Sequence, residues 1–161
     1  MKKILIVESN PFRLNTLQKY LSKDITLYVA WNTYEAILLL LTIKDIGLIS
    51  MTHGMEEFEN HCGRKGKTCV CPFVNFLLLV KPICPILLHT LDRKERKRVS
   101  KLLKIAELNV LGDDFSTISG ISDITDNKDC PGDKYPWGSE IFSKHWAKRI
   151  EEIFEVSEGI R

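Results

Sequence analysis

The chain has 161 residues, 44% of them hydrophobic and 27% charged, with 23 Lys and Arg against 21 Asp and Glu. That length suits one domain around one substantial core rather than an array of modules, and so apolar and balanced a composition excludes intrinsic disorder. A formal charge of +2 supplies no general attraction to nucleic acid or to a membrane, so either partner would need a local patch.

Residues 3–7 read as a buried strand, and residues 11–22 as a helix with Asn10 as its cap and Pro11 at the first helical position. Leu14, Leu17 and Leu21 recur at three and four residues and mark the buried face of that helix. A second strand is expected over 25–30. A second helix over 32–42 carries Ala36, Ile37, Leu40 and Leu41 on its inner side. A third strand over 47–51 leads into an irregular polar stretch, 52–67, long enough to suggest a functional or variable loop. A short apolar helix over 72–80, a hard turn at Pro82-Ile83-Cys84-Pro85 and a fourth strand over 85–89 follow. A strongly basic helix over 92–106 and a fifth strand over 108–111 close this series.

Residues 112–138 are rich in Asp, Ser, Gly and Pro and read as a long loop, and 139–157 as a last helix with Ile141, Trp146, Ile150 and Ile153 inward. Strands alternating with helices imply an α/β domain with a parallel sheet covered on both faces. The whole chain, 1–161, is expected to form a single domain whose core βα units occupy 1–111.

The Met-Lys-Lys start meets only four apolar residues before Glu8, shorter than the apolar region of an export signal. No apolar run approaches the roughly 20 residues that span a bilayer. The odd set Cys62, Cys69, Cys71, Cys84 and Cys130 is then expected to be reduced, in a cytoplasmic protein with no membrane partner.

Three segments carry a resemblance. They are Lys2-Lys3-Ile4-Leu5-Ile6-Val7-Glu8-Ser9-Asn10, Asn32-Thr33-Tyr34-Glu35-Ala36-Ile37-Leu38-Leu39-Leu40 and Pro85-Ile86-Leu87-Leu88-His89-Thr90. They resemble the first strand with its acidic turn, the second helix and the fourth strand of a response-regulator receiver domain. The resemblance covers about residues 1–111 and implies a flavodoxin-like, doubly wound sheet of five parallel strands with helices on both faces. Receiver chemistry uses carboxylates at the ends of strands one and three to hold Mg²⁺ and accept a phosphoryl group, with a lysine after strand five. Here Glu8 matches one carboxylate, but Ser9 replaces its acidic neighbour and Ile49-Ser50-Met51-Thr52-His53 contains no acid. Asp113 and Asp114 stand where the lysine would be, and Thr90 matches the hydroxyl residue after strand four. Phosphoryl uptake on Asp is therefore not expected.

The sequence is also similar to the cyclic-phosphate processing receiver family, through Glu8, Thr33-Tyr34-Glu35-Ala36, Thr52-His53-Gly54 and His89-Thr90-Leu91-Asp92. Both histidines of that pattern are present, while the acids that flank the first are not. From the residues alone, His53 and His89 both fall just past strand ends, on the edge where ligands gather in such sheets. Two imidazoles there can serve as base and acid on a phosphodiester. The plainer alternative is two histidines on loop edges by chance. A divalent metal held by His53, His89 and a carboxylate is a lesser alternative, and no cofactor is expected.

Arg93, Lys94, Arg96, Lys97, Arg98, Lys101 and Lys104 make the fourth helix positive, which attracts a phosphate ligand or acidic partner or simply solvates the helix. Without stacking aromatics on this helix, nucleic acid is not the expected partner. His61-Cys62 with Cys69-x-Cys71 lacks the spacing of a zinc site and reads as free thiols. Gly66-Lys67-Thr68 would need a glycine at 61 to end a phosphate loop, and His61 stands there. Trp31, Trp137 and Trp146 read as packing residues, and Tyr135-Pro136-Trp137-Gly138 either as a lid over the strand edge or as an anchored loop.

Three roles follow. The first is a degenerate receiver-like module in signalling or defence. It would bind a phosphate-bearing ligand (a nucleotide or cyclic phosphate) or a protein partner at the strand edge, with Glu8, Thr52, Thr90, Asp92, Arg93 and Lys94 as contacts. The second is a cyclic-phosphate phosphoesterase using His53 and His89. The third is an interaction module that pairs with a partner or a second copy through the face around the last helix.

Overall fold

The computed structural model describes residues 2–52, 71–89, 93–111 and 136–159. Five strands, β1 (Lys2–Val7), β2 (Ile25–Ala30), β3 (Leu48–Met51), β4 (Ile86–Leu88) and β5 (Val110–Leu111), form one sheet in the order β2-β1-β3-β4-β5. The helices are α1 (Pro11–Tyr20), α2 (Thr33–Thr42), α3 (Cys71–Val80), α4 (Arg93–Ile105) and α5 (Pro136–Gly159). This is the expected α/β, flavodoxin-like parallel sheet, with its order reversing between β1 and β3. Such a reversal opens a crevice at the carboxyl ends of those two strands.

The chain divides into two compact units, Met1–Ser9 with Thr26–Asp113, and Asn10–Ile25 with Asp114–Arg161. In the first unit, period-two alternation sends Leu5, Val7, Ile49, Met51, Ile86 and Leu88 into one core with Phe73, Val74 and Leu77 of α3 and Val99 and Leu103 of α4. The alternate positions Ile4, Ile6, Leu48 and Leu87 are equally buried. That is why these strands read as continuous apolar runs.

Asn32 caps α2 by accepting from the Glu35 N–H at 2.8 Å, while Glu35 Oε2 accepts from the Trp31 N–H at 2.8 Å. This reciprocal pairing satisfies backbone donors that a helix start leaves open. The core side of α2 holds Thr33, Ala36, Ile37 and Leu40. Leu41, expected there, instead stands exposed in the last turn, on the outer stripe with Tyr34 and Leu38. The Thr33 hydroxyl is buried with no hydrogen-bond partner.

The connections from α2 to β3, α3 to β4 and α4 to β5 each pass through a left-handed residue that is not glycine: Asp45 (φ 61°), Lys81 (φ 45°) and Glu107 (φ 63°). After α4 the turn is closed by Leu108 N–H to Leu103 O at 3.1 Å and Glu107 N–H to Lys104 O at 2.9 Å. These bonds satisfy carbonyls that would otherwise end the helix unpaired.

In the second unit, α1 is capped by Asn10, whose side chain accepts from Phe12 N–H at 2.9 Å and Arg13 N–H at 3.2 Å, with Pro11 at the first helical position. It ends at Tyr20, two residues before the expected Ser22, because Leu21 turns to extended backbone. α5 buries Phe142, Ser143, Trp146, Ala147, Ile150, Ile153 and Phe154, a stripe at three- and four-residue spacing. The two helices pair along their length. Arg13 lies over the Phe142 ring at 5.1 Å, Lys144 over the Tyr20 ring at 5.2 Å, and Ser22 N–H donates to Glu151 at 3.0 Å. The Tyr20 hydroxyl donates to Glu140, and this bond, chiefly, holds the phenol pKa above its ordinary value. Pro136, Trp137 and Gly138 lie in the first turn of α5 and not in a loop, since Pro pre-sets the helical φ and lacks only an N–H that the first turn leaves unbonded. Tyr135 falls outside the described residues. Trp146 is buried and Trp31 is partly exposed.

Candidate functional site

The carboxyl ends of β1, β3 and β4 bring together Glu8, Ser50, Thr52 and His89. Val7 pairs with Met51, and Met51 with Leu88. The next residues therefore align as Glu8, Thr52 and His89, held by Thr52 N–H to Val7 O at 3.1 Å and His89 N–H to Met51 O at 3.0 Å. Two-residue alternation puts these three, and Ser50 behind them, on one face of the sheet. All four side chains are buried.

The His89 ring bridges this row. Its Nδ1 lies 2.8 Å from Ser50 Oγ and its Nε2 lies 3.3 Å from Glu8 Oε2. β3 lies between β1 and β4, so the imidazole reaches across the middle strand to meet the carboxylate. With Glu8 ionised the carboxylate only accepts and Nε2 is the donor. In the neutral ring Nδ1 then accepts the Ser50 hydroxyl proton. The result is a hydrogen-bonded chain linking Ser50, His89 and Glu8, with both ring nitrogens engaged.

Of the residues singled out in the sequence, Glu8, Thr52 and His89 meet here. Arg93 and Lys94 lie in the first turn of α4. His53, Thr90 and Asp92, together with Asp113, Asp114, Cys62, Cys69 and Cys130, lie outside the described residues. Ser50 was not anticipated. The available signal was one hydroxyl residue inside the apolar run Leu48-Ile49-Ser50-Met51, at an even position shared with Thr52.

Cys84, a free thiol, packs partly buried against the core of the first unit, and burial pushes its pKa up to about 11. A thiol so rarely ionised is a weak nucleophile and ligand. Among the described residues, no group of three or more His, Cys, Asp or Glu is placed to hold a metal ion. Nor is any described helix long and apolar enough to cross a membrane.

The strand order, with a polar row at the carboxyl ends of β1, β3 and β4, defines a receiver-type fold. The solved receiver domain of Francisella response regulator 1452 is similar to this chain, with a TM-score of 0.56 and 11% identity over 98% of this chain and 99% of that one. At that identity the likeness is one of fold. No protein-family model and no curated protein matches the sequence.

Proposed function

We propose that this chain is a receiver-like signalling module that takes up no phosphoryl group and acts by contact with a protein partner. The observation that carries this reading is the Glu8–His89 pair. The carboxylate at the end of β1 is buried and turned onto an imidazole, and β3 brings Thr52, not an acid, to the place beside it. A hard divalent cation wants several open oxygen ligands, and among the described residues this donor set does not fit one. In the same reading His89 is a buried strut and not the acid or base of a phosphodiesterase, because its ring is inaccessible and engaged at both nitrogens.

The test is incubation of the full chain with acetyl phosphate and Mg²⁺, followed by intact-mass spectrometry under conditions that preserve acyl phosphates. The expected spectrum is unchanged. A phosphoryl adduct lost on hydroxylamine treatment would sink the proposal.

A further inference from the structure

In a parallel sheet each helix returns the chain from the carboxyl edge, so the connections after α3 and α4 both lie at the amino edge of the first unit's sheet. Ile86 N–H donates to Asn109 O at 2.8 Å, which sets those two connections side by side. In the first, Pro82-Ile83-Cys84-Pro85, two prolines fix the backbone and Cys84 packs against the core. Ile83 is left 99% exposed, touching almost nothing of its own chain. Leu79 and Val80, at the end of α3, lead into it and are exposed as well. On α4, which packs against α3, Ile105 is 71% exposed and Leu102, a turn before it, 39%. Lysines stand in the same segments. Lys81 separates Val80 from Pro82 and Ile83 in the chain, Lys101 lies one helical turn before Ile105, and Lys104 adjoins it. All three are exposed, and none forms an ion pair among the described residues. The acid nearest to them in the chain is Glu107, in the connection after α4. Single exposed apolar residues need no explanation; a projecting group of them interleaved with lysines does.

We propose that this edge of the first unit docks on an anionic lipid bilayer, with Ile83 entering the acyl boundary and Lys81, Lys101 and Lys104 meeting the headgroups. Charge complementarity selects the occupant. A bilayer is apolar beneath a negative skin, which matches projecting apolar side chains with cations set among them. Lysine stems are themselves apolar and carry their charge from such a layer up to the headgroups. A second copy would set these lysines against their own kind. The expectation of no membrane partner rested on the lack of an apolar span, and an interfacial patch needs none. This docking goes beyond the contact-signalling reading and does not depend on it.

The test is flotation of the full chain with vesicles of phosphatidylserine and phosphatidylcholine, and with vesicles of phosphatidylcholine alone. Binding to the first and not to the second is expected, and salt should weaken it. Ile83→Ser, and Lys81→Glu with Lys104→Glu, should each weaken it about tenfold or more. Ile83→Trp, which places a ring suited to the membrane interface at the tip, should keep it or tighten it. Lys19→Glu with Lys148→Glu makes the same charge change at exposed positions of α1 and α5 and should leave binding unchanged. Circular dichroism checks that the variants stay folded. No binding to the anionic vesicles, equal binding to the neutral ones, or indifference to Ile83→Ser would overturn the proposal. So would equal losses from the two lysine pairs, or self-association in light scattering that Ile83→Ser abolishes.

Discussion

His89 Nε2 stands 3.3 Å from Glu8 Oε2, although the strands these residues follow are separated by β3. A buried carboxylate deprived of a charge-assisted partner loses far more than the pair contributes net. His89→Ala is therefore expected to cost about 3 kcal/mol or more of unfolding free energy. Glu8→Gln keeps an oxygen acceptor for the Nε2 proton and should cost about 1 kcal/mol. Urea unfolding of the three proteins decides it, and similar losses in both variants would count against the pair.

The buried Thr33 hydroxyl makes no hydrogen bond, so it contributes a desolvation cost without return. Thr33→Val keeps the shape and removes the orphan group. We expect a gain of about 1 kcal/mol, seen as a higher urea midpoint with an unchanged slope. A loss would mean that the hydroxyl is satisfied in solution.

Glu107 holds a left-handed φ of 63° after α4. A side chain there costs about 1–2 kcal/mol, against roughly 0.5–1 kcal/mol of extra backbone entropy lost by glycine. Glu107→Gly should thus stabilise the protein, by about 0.5–1 kcal/mol. Glu155→Gly, at an exposed position inside α5, should instead cost about 1 kcal/mol. Thermal melts of the two variants should move in opposite directions.

Burial raises the Cys84 pKa to about 11 in the fold. The folded state then holds its proton where the unfolded chain, with a thiol pKa near 8.5, has lost it. The thiol's contribution is fully present below that unfolded value and is lost as pH rises toward 11. Cys84→Ala should flatten the fall in stability across that alkaline window. Peptide mapping after iodoacetamide at pH 8 should find Cys84 alkylated slowly in the folded protein and readily in urea.

Most of the sheet was legible because parallel strands announce themselves as apolar runs: 25–30 was placed to the residue, and Lys2–Val7 and Leu48–Met51 to within one. The cap of α1 was legible too, since Asn10-Pro11 carries a local donor–acceptor logic, whereas Asn32, read as the first residue of the second helix, is the cap of α2. Leu41 and Pro136–Gly138 were misread for one reason. Composition shows that a residue is apolar or turn-prone, but not how far a neighbouring helix reaches or where a helix begins. At the site, Glu8, Thr52 and His89 were found as strand-end residues, whereas their linkage was invisible. Nothing local in the sequence says that a histidine 81 residues away will cross an intervening strand to reach Glu8.

That crossing has a consequence for how the chain avoids misassembly. Apolar strands buried on both faces discriminate poorly between alternative alignments, since Ile, Leu and Val are nearly interchangeable when slid along one another. A shift of β4 by two residues would keep every side chain on its proper face, yet move His89 about 6.6 Å from Ser50 and Glu8. The Ser50–His89 and His89–Glu8 hydrogen bonds would then be lost in a buried place. The hydrogen-bonded chain thus acts as a proofreading element, accepting one alignment of three strands and penalising neighbours that the hydrophobic core would tolerate.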